Sequence, residues 1–433
     1  MNTVLEAINA TLDTSVIGTL LSQKGRALFF PQGIVAQTEQ STSAKIQATA
    51  GMALSNSEPL IFSAVQNILP TLSARDIVAY APVAGLPQLR KAWRQHIIAK
   101  NPSLHAGHAS LPIVCSGLTH GIHLALTLFL NTGDSVLSHA HYWENYLHII
   151  ETYLTATLET CAFFDAEGNI NIQALRGSLR SMAEKQKKCL LLLNFPNNPS
   201  GSTLKKADLP ALLEVVEQEA KRGTAVLVLC DDAYFGMCFE ESHCSQSLFS
   251  YFASLHKNVL AVKIDGATKE MLAWGLRVGF LSFGNPELRT ELESALEQKV
   301  VSAIRATVTS ASRLSQTLLM KILEDNHTEE EQKRTYTYLK TKYRKVKDTI
   351  AVLTQQYPNS PLRALNFSSG YFMCFDCGDI SAKDLRLSLL EKEKIALIQI
   401  HNMLRFTFAA VDEEEILEVL QKIYQYAEGL QNT

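Results

Sequence analysis

The 433-residue sequence lacks several features that would settle its class early. No apolar run is long enough to cross a bilayer; the longest, around Leu190–Leu193 and Ala225–Cys230, are strand-sized. No basic opening leads into a sustained apolar stretch, because Glu6 and Asp13 interrupt MNTVLEAINATLDTSV, so no secretory leader is expected. There is no excess of positive charge: at a formal net charge of −3, nothing draws the chain generally to nucleic acid or anionic lipid. Neither a Walker A loop nor a G-x-G-x-x-G is present, which removes the commonest nucleotide cradles. The eight cysteines include one C-x-x-C, Cys374 and Cys377, without the second pair a zinc ribbon needs. That pair falls in a strand-like segment, where residues i and i+3 face opposite sides, so reduced thiols are expected. His120 and His123 stand one helical turn apart with no third ligand at matching spacing, and no metal site is expected. What is present is ordinary: 46% apolar and 19% charged residues, enough for one large core and a smaller one. The expectation is a cytoplasmic protein whose partner is a small molecule.

After a polar, loop-like opening, the pattern predicts helices at about 59–70 and 86–100, joined by the turn-rich Tyr80-Ala-Pro-Val-Ala-Gly85. From about residue 112, short apolar runs alternate with helical stretches. PIVCSG, DSVLSH, CLLLLNF, AVLVLCD, NVLAVKID and RVGFLSFG read as buried strands; 120–130, 172–187 and 207–221 read as helices. Such alternation predicts a mostly parallel sheet with helices on both faces. A long charged helical stretch, about 313–355, leads to a strand–helix–strand–helix C-terminal unit. In open parallel sheets, ligands bind beyond the carboxyl ends of the strands, so the loops after those runs are where chemistry is expected.

Those loops hold a coherent set. Ser116-Gly117-Leu118-Thr119 is a small-residue turn feeding a helix, a place for phosphate or simply an ordinary connection. Asn198-Pro199-Ser200-Gly201 is either a rigid loop or part of a site. Asp231 ends a buried apolar strand, where a carboxylate needs a cation; Asp232 fits the role of a cap on the next element better. Lys269 lies just past a strand end, where burial and nearby cations would lower its pKa for imine formation. Arg277, eight residues on, suits a phosphate, although either residue alone could be an ordinary surface cation. Arg405 sits inside an apolar strand pattern and requires a carboxylate, from the protein or from a substrate.

In this order and spacing, Tyr80-x-Pro-x-x-Gly85, Ser116-Gly117, Asn198-Pro199-Ser200-Gly201, Asp231-x-Ala-Tyr234, Lys269, Arg277 and Arg405 resemble the class I/II, aspartate-aminotransferase-like enzymes dependent on pyridoxal 5′-phosphate (PLP). The resemblance runs from about residue 30 to about 410. It implies PLP fold type I: an α/β large domain with a mostly parallel central sheet, and a smaller α+β domain from both termini. The expected division is residues 1–75 as an N-terminal arm and part of the small domain, 76–330 as the PLP-binding domain, and 331–433 as the C-terminal small domain.

The resemblance further implies roles. Lys269 would carry the cofactor as a Schiff base and move the proton, Asp231 would pair with the pyridine nitrogen, and Tyr234 and Asn198 would contact the ring oxygen. Trp143 would stack on the ring. Gly117, with the amides of Leu118 and Thr119 and with Arg277, would form the phosphate cup, and Tyr80 would reach the phosphate of a neighbouring subunit in a homodimer. Arg405 would hold the substrate α-carboxylate, with Gly33 lining the substrate pocket. Arg305 aligns with the residue that binds a distal carboxylate across the dimer, which would favour aspartate or glutamate; the other reading is a helix-surface arginine. Two positions depart from the family pattern: Leu118, where relatives often have a hydroxyl residue, and Gly266, where they often have Ser or Thr. The expected activity is amino transfer between an L-amino acid and a 2-oxo acid by a ping-pong route. Alternatives are a PLP-dependent lyase or decarboxylase on the same fold, and a binding or regulatory protein of aminotransferase-like fold, which the short, non-basic N-terminal segment disfavours.

Overall fold

The computed structural model describes residues 43–431 apart from 50, 69, 70, 166 and 167, together with Glu6, Ala10, Gln37, Gln40 and Ser41. Its centre is a seven-stranded sheet: β1 Ile113–Cys115, β2 Ser135–His139, β3 Thr157–Cys161, β4 Lys188–Asn194, β5 Ala225–Asp231, β6 Val259–Asp265 and β7 Gly279–Gly284. Their spatial order is β1-β7-β6-β5-β4-β2-β3. All neighbours are parallel except β7, which runs antiparallel to both β1 and β6. Continuous apolar runs such as Leu190–Leu193 make sense here, because alternate residues face two different cores. Leu190 and Leu192 belong to one cluster, and Leu191 and Leu193 to the other. β3 was not foreseen. It is an edge strand in which only Leu158 is buried, so it lacks the apolar run that marks its neighbours.

The helices that frame the site are α1 Pro87–Lys100, α2 Leu118–Phe129, α3 Ile172–Gln186, α4 Leu209–Lys221 and α5 Thr290–Thr307. α1 starts with Pro87 in its first turn, where a missing N–H costs nothing. The Asn171 side chain caps α3 by accepting from the Ala174 N–H at 3.1 Å. The stretch expected as one long helix is two, α6 Arg313–Glu324 and α7 Thr328–Gln356. Asp325 Oδ1 accepts from the His327 N–H at 2.7 Å, a local bond that turns the backbone out of the helix between them. The helix expected at 59–70 is confined to Ser63–Ile68 among the described residues.

The C-terminal unit is a four-stranded antiparallel sheet of β8 Arg363–Ala364, β9 Met373–Asp376, β10 Ile398–Ile400 and β11 Met403–Phe406, ordered β8-β9-β11-β10. α8 Ala382–Ser388 and α9 Ile416–Gln431 complete it. Ile46–Gln47 pairs in parallel with Ile395–Ala396, joining N-terminal chain to this unit. Its core, including Leu385, Phe406 and Ile416, is continuous with one of the two clusters flanking the large sheet. All eight cysteines are free. No helix among the described residues is long and apolar enough to cross a membrane.

Candidate active site

The carboxyl ends of β4, β5 and β6 and the start of α2 enclose a cavity of about 230 Å³. Leu118, Thr119, Trp143, Asn198, Asp231, Tyr234, Lys269 and Arg277, far apart in sequence, all line it.

One corner is built for an anion. Gly117 has φ +83°, and a Cβ there would lie 2.4 Å from Arg277 Nη2, so the guanidinium packs against bare backbone. α2 begins at Leu118, which leaves its first N–H groups without helical partners at the cavity wall. The Ser116 N–H, by contrast, is held by His120 Nδ1 at 3.2 Å, and His120 Nε2 meets Thr307 Oγ1 at 2.9 Å. Thr268 also lines the cavity, and its buried hydroxyl has no hydrogen-bond partner among the described residues. A phosphate fits this set of donors. Thr268 escaped the sequence reading although its hydroxyl directly precedes Lys269. At Gly266, a Cβ would meet the Val278 carbonyl oxygen at 2.7 Å and Leu118 Cδ1 at 3.1 Å, so the two departures from the family pattern are in contact.

The opposite wall carries the ionisable groups. Asp231, the last residue of β5, is buried; it accepts from the Tyr146 hydroxyl at 2.5 Å and from the Ala233 N–H at 3.1 Å. Burial pushes its carboxyl up to about 6, against the opposing pull of the Tyr146 hydroxyl and the Lys269 amine. A pyridinium would supply the cation that this carboxylate lacks. Asp232, expected to cap the next element, instead turns to the far side of the sheet. There it pairs with fully buried Lys263 and accepts from the Ser247 hydroxyl at 2.5 Å. Burial lowers Lys269 to about 8; Asp231 opposes that shift and Arg277 adds to it. The Lys269 Nζ lies 4.9 Å from the Tyr234 ring centroid. The loop bearing the lysine is pinned at both ends. Asp265 accepts from Trp93 Nε1 at 3.1 Å and faces Lys263, while Glu270 pairs with His96 at 3.3 Å and with Lys100, both from α1.

Arg405, in the middle strand β11, approaches from the C-terminal unit. Its guanidinium donates to Asn198 Oδ1 and to the Thr49 carbonyl, each at 3.2 Å, and lies 4.3 Å from the Phe372 ring centroid. It is buried, its Nε has no partner, and no acidic side chain among the described residues pairs with it. Asn194, also missed from sequence, ties the floor together: its amide donates to the Asp231 carbonyl at 3.0 Å, and its oxygen accepts from the Asn198 N–H at 2.8 Å. The loop after β4 is fastened to the C-terminal unit. The Gly201 carbonyl accepts from the Ser368 N–H at 2.9 Å, the Ser369 N–H at 3.0 Å and the Ser369 hydroxyl at 2.9 Å. A Cβ on Gly201 would collide with the Phe372 carbonyl oxygen at 2.0 Å.

Tyr80 and Arg305, both expected in the site, do not line this cavity. Tyr80 is 87% exposed, and Arg305 is exposed on α5. Gly33 lies outside the described residues.

Comparison with known proteins returns the same picture. Aspartate aminotransferase of Pyrococcus abyssi is 26% identical over 206 residues, 47% of this chain and 48% of that protein, so the match spans about half of that relative. The probable aspartate/prephenate aminotransferase of Aquifex aeolicus is 22% identical over 363 residues, 81% of this chain and 84% of the other. Among solved structures, an aminotransferase from Anaerococcus prevotii superposes with a TM-score of 0.82 at 21% identity, covering 94% of this chain and 99% of that one. The family described as aminotransferase class I and II matches residues 49–423, from the segment that meets Arg405 to the last helix. A lysine, an aspartate and an anion cup at the strand ends are what PLP asks of a protein, and with that match this chain belongs to the PLP-dependent class I and II aminotransferases.

Proposed function

We propose that this enzyme moves an amino group between an L-amino acid, a dicarboxylic one such as aspartate or glutamate, and a 2-oxo acid by a ping-pong route. The observation that carries the reading is the joint placement of Lys269, Asp231 and Arg277 around one cavity, with buried Arg405 at its edge paired to no acidic side chain among the described residues. When bound, PLP supplies an electron sink for the charge left at the substrate Cα. The chain does the rest. Arg405 would take the α-carboxylate by two parallel hydrogen bonds and so orient the substrate Cα beside Lys269. Lys269, lowered to about 8, is neutral often enough near neutral pH to act as nucleophile and then to carry the Cα proton. The Leu118 and Thr119 amides, the Thr268 hydroxyl and Arg277 would hold the phosphate end, and the Asp231 carboxylate would pair with the pyridine nitrogen. Tyr80 and Arg305, exposed in the single chain, serve the site of a second copy in a homodimer.

The dicarboxylate preference rests on Arg305 and on the names of the aspartate-type relatives. The test is a half-reaction. Holoenzyme mixed with L-aspartate alone should release about one oxo acid per site and lose the colour of lysine-bound PLP, and 2-oxoglutarate should restore it. Continuous turnover without any oxo acid would instead assign a lyase or decarboxylase. Arg305→Ala should raise KM for aspartate about tenfold or more while leaving that for a monocarboxylic amino acid unchanged; equal effects on both would remove the dicarboxylate assignment.

A further inference from the structure

The site contains a residue that the motif set does not include. Tyr146 lies in a short helix, Asn145–Leu147, which passes directly into a π-helical segment, His148–Tyr153. Its side chain is fully buried, with its ring edge-on to Trp143 at a centroid distance of 5.5 Å and an interplanar angle of 82°. Its hydroxyl points at Asp231 Oδ2 at 2.5 Å. The other oxygen, Oδ1, accepts from the Ala233 N–H at 3.1 Å. Both carboxylate oxygens are therefore held, and the carboxylate cannot rotate without breaking a bond.

We propose that Tyr146 is a positioning residue for the cofactor: its phenol donates to Asp231 and keeps that side chain ionised and aimed at the pyridine nitrogen. This rests on the assignment of Asp231 to that nitrogen. Three further charged or titratable groups act on Asp231: the Lys269 amine favours its ionised form, whereas the neighbouring Asp232 and buried Tyr234 do not. The carboxyl stands at about 6 with the Tyr146 bond in place: burial raises it, and that bond is foremost among the contacts that hold it down. Direction of transfer is settled by chemistry. Burial and the neighbouring carboxylate push the Tyr146 phenol well above its ordinary value, so it remains the proton donor.

The sign of the consequence follows. Removing the phenol raises the Asp231 pKa further, so at any pH near neutrality a larger fraction of the apoenzyme carries a neutral acid that cannot pair with a pyridinium. Tyr146→Phe keeps the ring and its contact with Trp143. It should weaken PLP binding about tenfold to a hundredfold at pH 7, the range for a lost hydrogen bond to a charged group. It should also move the pH below which affinity is lost upward by about one unit.

The experiment titrates PLP into apoenzyme followed by Trp143 fluorescence, from pH 5.5 to 8.5, for wild type, Tyr146→Phe, Asp231→Asn and the double variant, with thermal midpoints of the apo forms recorded alongside. The expected result is a weakened and pH-shifted Tyr146→Phe whose effect disappears in the Asp231→Asn background, the non-additivity of two residues acting through one contact. A Tyr146→Phe with wild-type affinity at every pH overturns the proposal, as does an equal loss at every pH, which would be packing alone. If Tyr146→Phe does not fold, Tyr146→His and Tyr146→Leu decide: affinity kept by the donor and lost with a pH shift by the apolar side chain supports the proposal, and equal affinity in both rejects it. Failure of the underlying assignment is separable, because Asp231→Asn would then bind PLP like wild type whatever Tyr146 does.

Discussion

A methyl-sized group at Gly266 would sit 2.7 Å from the Val278 carbonyl oxygen and 3.1 Å from Leu118 Cδ1. The hydroxyl that many relatives carry at this position therefore has no room, and the adjacent Leu118 side chain takes up part of the space. Thr268, buried at the same wall with an unpartnered hydroxyl, can take over the lost contact. Gly266→Ser should cost about 2 kcal/mol by overpacking, lowering the thermal midpoint of the apoenzyme. Adding Leu118→Ala should recover only part of it, because the carbonyl stays; complete recovery would show that the carbonyl was free to move. Lys269 gives a second prediction. Its folded pKa of about 8 lies below the unfolded value of ~10.4, so the unfolded chain holds more protons between those limits and stability rises with pH across that window. Lys269→Met should stabilise apoenzyme below pH 8 by about 2 kcal/mol, less than the ~3 kcal/mol of a dry site because the amine keeps some solvent through the cavity mouth. That gain should vanish above about pH 10.5. A gain that stayed constant with pH would mean a packing effect. Such residues were legible unevenly. Lys269, Asp231 and Arg277 stand at strand ends where a charge has to be explained, whereas Tyr146 and Thr268 are unremarkable in sequence and become visible only through what their hydroxyls face.

At the scale of elements, the lysine loop is a short span held between charge anchors. Glu270 is lowered to about 2: burial works against this, and His96 and Lys100 of α1 outweigh it. A carboxylate depressed in the folded state contributes stability fully present above ~4.5, which is lost as pH falls toward 2. Glu270→Gln should lower the thermal midpoint at pH 7 and flatten the acid limb of the stability profile; an unchanged limb would remove the anchor from α1. The sheet was readable where strands are buried on both faces, since runs such as CLLLLN and AVLVLCD can be little else. β3 was not, because TLETC at an edge has no such run, and the antiparallel direction of β7 leaves no mark on an equally apolar sequence. The break between α6 and α7 had a signal in Asp325, whose carboxylate turns the chain, though a charged stretch conceals it.

For the whole molecule, the exposed residues matter most. Tyr80 is 87% exposed beside Ile77 and Val78, apolar side chains at 44% and 80% exposure, on a surface that a second copy would cover. If each copy completes the other's phosphate site, Tyr80→Ala and Lys269→Ala should complement. Each would be impaired alone, while a refolded mixture should regain roughly a quarter of wild-type activity, since half of the dimers are hybrids with one intact site of two. No regain on mixing would place each site within one chain. The three-part division of the chain is what the family resemblance implies, and the hydrogen bonds between its expected parts decide how firmly they adhere.

The Gly201 carbonyl bears on that point. It accepts three hydrogen bonds from Ser368 and Ser369, and its Cα faces the Phe372 carbonyl too closely for any side chain. By sequence the loop 197–202 belongs to one unit; by its bonds it belongs equally to the other. Anyone recombining this enzyme with a relative to change its substrate, by exchanging everything after residue 330, would cut across that joint. The donors would arrive facing a foreign loop, and Asn198 would lose its register with Arg405. A workable chimera has to carry residues 197–202 along with the C-terminal unit, so what is one joint in space is two separate stretches of the gene.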